Sequence, residues 1–232
     1  MVESTPARIV KIAPSFEEYH FVEVDPDKKA HLDSVVGDRP NVTVYLGDGN
    51  EILLEKILPK MTYESYRKGL LFLDPYGLDL DWTVVAAASH SRCVDVLINF
   101  PIEAMNRAVL WTDPTHVSPD QVARMDRYYG DRDTWWGAAY PSQRDLFGRL
   151  MPLWKKPGNE RVVQAYRKRL KEVAGFKHVS KPMPMRNAKN AVVYYLIGAS
   201  QKPQATSVFN AVFKKAQREG IGIVPTEHDR VD

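Results

Sequence analysis

Cysteine is all but missing from this chain of 232 residues: Cys93 stands alone. A lone cysteine excludes an internal disulfide and any cysteine-built metal cluster. No apolar run is long enough to span a bilayer, and the first residues carry no signal-peptide pattern, so a reducing, cytoplasmic setting is expected. The six histidines show no metal-ligand spacing. No serine, histidine and aspartate occur in the context of a nucleophile elbow, so metal and serine-hydrolase chemistry are not signalled. Internal repeats and low-complexity tracts are lacking too. Neither sign of charge dominates: a net +3 does not demand a nucleic-acid partner. No glycine occurs before Gly37. What remains is an ordinary globular balance, 44% hydrophobic and 26% charged.

Four strand-like runs organise the first hundred residues. They are His20–Asp25, Val42–Asp48, Leu70–Gly77 and Val94–Pro101. Helix-like stretches separate the first three, so those three are expected to run parallel. Helices are expected at Met1–Ile12, at Pro26–Val36 behind an Asp25 N-cap, at Glu51–Leu58 and at Trp82–Ser91. Cys93 reads as small core filler. In an open parallel sheet, ligands sit outside the carboxyl ends of the strands, so polar residues at several strand ends describe one pocket.

The rhythm changes after Pro101. Residues 102–158 are irregular and rich in Trp, Arg, Asp and Pro, which predicts a helical insertion or lid. Trp111, Tyr128, Tyr129, Trp135 and Trp136 are either its core or a stacking surface for a ligand. A helix is expected over Asn159–Ala174, stopped by Gly175. His178–Met185 and Ala191–Ala199 should form an antiparallel hairpin across a short link. A last helix is expected from about Thr206 to Glu219, within a single domain over 1–220, with a tail at 221–232.

A parallel α/β sheet finished by an antiparallel hairpin resembles the Rossmann-like fold of class I S-adenosylmethionine-dependent methyltransferases. Three segments are closer to one group, the three-Cys-motif partner family. They are Phe72-Leu73-Asp74-Pro75-Tyr76-Gly77, the Val94–Pro101 strand and Tyr194-Tyr195-Leu196-Ile197-Gly198-Ala199-Ser200. The resemblance covers about Ser4 to Ser200. It implies a methyltransferase whose cofactor is S-adenosylmethionine and whose substrate is unspecified. The family takes its name from a neighbouring three-cysteine protein of the radical S-adenosylmethionine type. A non-catalytic accessory of such a partner is therefore the alternative.

The resemblance assigns roles residue by residue. Glu23 matches the acid that accepts from both ribose hydroxyls, and Asp48, with Gly49 beside it, matches the contact to the adenine amino group. Each has a plainer reading: Glu23 as an exposed strand-end acid, Asp48 as the cap of the helix from Glu51. Asp74-Pro75-Tyr76 resembles the Asp-Pro-Pro-Tyr motif that amino-group methyltransferases place beside the sulfonium. One proline and a following Gly77 depart from that pattern, and the same four residues also read as a strand-ending turn. Asn99-Phe100-Pro101 would be a further wall of the pocket. The basic run Arg161–Lys171 would meet phosphate in a nucleic-acid-modifying or defence protein, or be a solvated helix face. The family's first strand and its glycine-rich loop, which cradles the methionine end of the cofactor, have no counterpart. The resemblance thus implies an N-terminally incomplete chain and an incomplete cofactor site.

Overall fold

The computed structural model describes residues 4–144, 150–152, 158–219 and 223–224. Positions 145–149 and 153–157 of the expected insertion, and the expected tail apart from 223–224, lie outside them. The chain forms two compact units, Met1–Lys60 and Met61–Asp232.

The first unit begins with helix α1 (Thr5–Ile9). It ends before the expected Ile12, and residues 1–3 of the expected helix lie outside the described residues. Strand β1 (Tyr19–Glu23) leads to α2 (Pro26–Val36), then to β2 (Val42–Leu46) and α3 (Gly49–Ile52). The Asp25 carboxylate caps α2 by accepting from the amides of Asp27 and Lys28, as its place before Pro26 predicts. Helix α3 starts two residues early because Asp48 caps it in the same way. It continues as a π-helical turn over Leu53–Ile57 and a 3-10 turn over Leu58–Lys60, where Pro59 brings no amide to the ladder. Strands β1 and β2 pair in parallel from Tyr19↔Val42 to Glu23↔Leu46. Tyr19, Phe21, Val42 and Val44 share one face, and Val10, Ile9, Leu32 and Val36 from α1 and α2 close a small core against it. The opposite face carries His20 stacked on Tyr45, ring centroids 5.9 Å apart.

In the second unit, β3 (Gly69–Leu73), α4 (Trp82–Ser91) and β4 (Val94–Phe100) follow one another. Helices α5 (Ile102–Ala108), α6 (Pro119–Tyr129) and α7 (Arg132–Ala139) come next, then a short strand pair, β5 (Ser142–Arg144) and β6 (Leu150–Pro152). Helix α8 (Asn159–Glu172) precedes strands β7 (His178–Val179), β8 (Met183–Asn187) and β9 (Val192–Ser200). Helix α9 (Pro203–Arg218) and strand β10 (Ile223–Val224) end it. The main sheet has the order β10-β8-β9-β4-β3, with β7 also on β9. Strands β3 and β4 are parallel, whereas β9 runs antiparallel to both β4 and β8. The expected hairpin is therefore present. The expected run of three parallel strands in one sheet is not: β1 and β2 make a two-stranded sheet of their own. Alternation along a strand reports which face is buried, not which strand lies beside it.

The helical part of the insertion supplies core to this unit. Val94, Val96, Ile98 and Phe100 line one face of β4 and are all buried. The Phe100 ring meets those of Tyr128, Tyr129 and Tyr166 at 5.8, 6.2 and 5.0 Å. Arg169 of α8 holds the turn between α6 and α7: its Nε donates to the Tyr129 carbonyl at 2.5 Å and its Nη2 to that of Gly130 at 3.1 Å. The guanidinium also lies 4.8 Å above the Trp82 ring. Tyr128, Tyr129 and Trp135 are fully buried, while Trp111 and Trp136 remain partly exposed. The first three are core, the first of the two readings open from sequence.

Candidate functional site

In the first unit two carboxylates stand at the carboxyl ends of neighbouring parallel strands. The Gly47 amide donates to the Glu23 carbonyl at 3.0 Å and ties those ends together. Glu23 Oε1 accepts from the amides of Val24 and Asp25 at 3.0 and 3.1 Å. Asp48 Oδ1 accepts from the amides of Asn50 and Glu51 at 2.8 and 3.1 Å. Each acid thus spends one oxygen on its own backbone. The capping role of Asp48 is real and is carried by Oδ1. Gly47, at φ +146°, occupies a conformation that favours glycine. Gly49 does not need to be glycine for packing, since no atom lies within 4 Å of where its Cβ would stand.

In the second unit, the carboxyl ends of β3 and β4 bring Asp74 and Asn99 together. Asn99 Nδ2 donates to Asp74 Oδ1 at 2.6 Å. Asn99 Oδ1 is buried and has no partner among the described residues. After Asp74 the chain turns through Pro75, with the Asp79 amide donating to the Tyr76 carbonyl at 3.2 Å and Gly77 at φ +60°. The Tyr76 side chain is 90% exposed. Arg124 of α6 closes the far side of this turn with a 2.7 Å bond to Asp79.

One neighbour of Asp74 is Tyr128, open from sequence as core or as a stacking surface. The Tyr128 hydroxyl is fully buried without a hydrogen-bond partner among the described residues, as is that of Tyr166, 5.4 Å away between ring centroids. Burial first, then Tyr166, Tyr129 and Asp74, hold the Tyr128 phenol well above the usual tyrosine range. It stays protonated and can only donate or accept as a neutral hydroxyl. No local sequence signal separates it from Tyr129, whose hydroxyl donates to the Val162 carbonyl at 2.8 Å.

The basic run of α8 is largely occupied by the fold. Arg167 donates to the carbonyls of Ser180 and Val179 at 2.8 and 3.2 Å, Arg169 serves the α6–α7 turn, and Lys168 lies 3.7 Å from Glu172. Cys93 is half-buried, its Sγ donating to the Ser91 carbonyl, and burial pushes its thiol up. Among the described residues, no group of three or more His, Cys, Asp or Glu side chains could hold a metal ion, and no helix is long and apolar enough to cross a membrane. No protein-family model matches the chain, and no curated protein matches it either. The chain is a mixed α/β protein, and its function rests on the geometry above.

Proposed function

We propose that this chain is a class I methyltransferase-like protein of the three-Cys-motif partner type, directed at S-adenosylmethionine. The observation that carries the reading is the strand order of the second unit. A parallel pair, β3 and β4, continues into β9, which runs antiparallel between β4 and β8. The paired acids of the first unit add to it. Glu23 and Asp48 each keep a carboxylate oxygen that their backbone bonds do not use, which suits the hydroxyl and amino donors of adenosine.

The fit is to the nucleoside half of the cofactor. Glu23 would hold the ribose and Asp48 the adenine, with Gly49 offering open space beside it. When bound, the cofactor supplies an electrophilic methyl group. Asp74 would accept a hydrogen bond from the acceptor, and Asn99 fixes the carboxylate that does so. Positioning of this kind supplies most of the rate in a direct displacement. The rival reading, a non-catalytic partner of a three-Cys-motif radical S-adenosylmethionine protein, draws on the exposed Tyr76. A nucleic-acid role loses ground because Arg167 and Arg169 are committed to backbone carbonyls.

Calorimetric titration with S-adenosylhomocysteine and with adenosine tests the proposal. Both are expected to bind weakly and alike, because only the nucleoside is addressed. No binding of either removes the cofactor from the reading. Much tighter binding of the homocysteine conjugate shows that another segment holds the amino-acid end.

A further inference from the structure

Strand β3 is the outer strand of the main sheet, and among the described residues no strand pairs with its far edge. Its five residues, Gly69-Leu70-Leu71-Phe72-Leu73, include no charge, no proline and no bulge in the β4 register. Edges of this kind pair with other strands unless something blunts them. The Gly69 amide donates to the Cys93 carbonyl at 3.0 Å, so the odd-numbered residues bond to β4. The backbone groups of Leu70 and Phe72 therefore point to the open edge. Their side chains are 50% and 40% exposed. Lys68 and Asp74, which continue the same alternation at either end, are exposed as well.

We infer that β3 pairs antiparallel with β3 of a second copy of this chain, with Leu71 on the twofold axis. The row Lys68, Leu70, Phe72, Asp74 is self-complementary when reversed. In this register Leu70 faces the partner's Phe72, and Lys68 faces the partner's Asp74, at both ends. Leu70 and Phe72 are then the residues that exchange hydrogen bonds, which are the ones with unused amides and carbonyls. Sliding the register by one residue per strand leaves one apolar residue outside and sets no lysine against an aspartate. The two sheets become one continuous sheet across the axis. The contact is small, so the association is weak and concentration-dependent. It holds whether or not the protein transfers methyl groups, since it needs only the edge and its two flanking charges.

Sedimentation velocity on the full chain, at concentrations up to about 1 mM, reads an association with Kd in the millimolar range or tighter. The single variants Lys68→Asp and Asp74→Lys each set like charges opposite one another at both ends. Each is expected to weaken dimerisation by about tenfold. Mixing the two single variants restores opposite charges at both ends, so heterodimers should form near wild-type strength. Hydrogen exchange gives the second measurement: the amides of Leu70 and Phe72 should slow as chain concentration rises. A chain monomeric throughout, or a dimer indifferent to both variants, overturns the inference. So does concentration-independent protection of those amides, which would mean that a different segment occupies the edge.

Discussion

The side-chain amide of Asn99 reaches from the end of β4 to the Asp74 carboxylate at the end of β3, 2.6 Å between Nδ2 and Oδ1. That bond fixes the rotamer of an otherwise exposed acid. It also turns the Asn99 Oδ1 inward, where it has no partner among the described residues. A buried acceptor without a donor costs about 1–3 kcal/mol, comparable to what the bond to the carboxylate contributes. Replacing the residue should therefore be nearly neutral for folding. Asn99→Leu is expected to change stability by less than about 1 kcal/mol in urea denaturation, since it removes the bond and the orphan together. A loss of several kcal/mol would mean that the pair holds the sheet rather than positions Asp74.

Glu23 and Asp74 should separate under mutation if the proposed function is right. Glu23→Ala removes a charge-assisted acceptor and is expected to weaken adenosine binding by about 1–3 kcal/mol. Asp74→Ala should leave that affinity nearly unchanged and abolish methyl transfer once an acceptor is known. Thermal shifts with S-adenosylhomocysteine compare the two variants directly. Equal loss in both would take Asp74 out of its role. No loss in either would leave the reading on fold analogy alone.

Much of this was legible in the sequence, and the rest was hidden for identifiable reasons. The Asp25-Pro26 pair marks the start of α2 to the residue, because an N-cap and a proline at N1 are local chemistry. The alternation in Val94–Phe100 gives its buried face for the same reason. The separation of β1 and β2 from β3 was not legible, since strand neighbours are a long-range property. Nor was the Asp74–Asn99 bond, which joins residues 25 positions apart. The aromatic residues at 128 and 129 stay open from sequence between core and stacking surface, because irregular spacing hides that they pack on Phe100.

Asp131 gives the fold an acid-sensitive point. It caps α7, its carboxylate accepting from the amide of Thr134 at 2.8 Å and from the Thr134 hydroxyl, with Arg169 Nη1 at 3.5 Å. The Thr134 hydroxyl is the main reason its carboxyl sits below the usual 3.8. A folded pKa below the unfolded one means that the carboxylate stabilises above about pH 4, and that this contribution fades as pH falls through the folded value. Asp131→Asn keeps the cap but loses the charge. At neutral pH it should be less stable by a few tenths to about 1 kcal/mol, because the group is partly screened by solvent. Urea midpoints at pH 7 and near pH 2 check this: the gap between wild type and variant should close in acid. A gap that widens would reverse the assignment.

The sharpest structural prediction concerns Gly130. This residue follows α6 at φ +70°, a left-handed conformation that closes the helix before Asp131 starts the next one. Any side chain there meets Trp82: a Cβ would stand 2.4 Å from Cγ and 2.5 Å from Cδ1 of the indole. The indole has little room to yield. Tyr166 packs edge-on at 5.7 Å, and the Arg169 guanidinium lies over the ring. Gly130→Ala therefore combines a left-handed alanine, costing about 1 kcal/mol, with an overpacking cost of about 1–3 kcal/mol. A total loss of about 2–4 kcal/mol is expected in denaturant unfolding. A double-mutant cycle separates the two contributions. In a Trp82→Ala background, itself destabilised by about 3–5 kcal/mol, the clash is gone and Gly130→Ala should cost only the conformational part. If Gly130→Ala costs the same in both backgrounds, the close approach of Trp82 to the α6–α7 turn does not exist in solution.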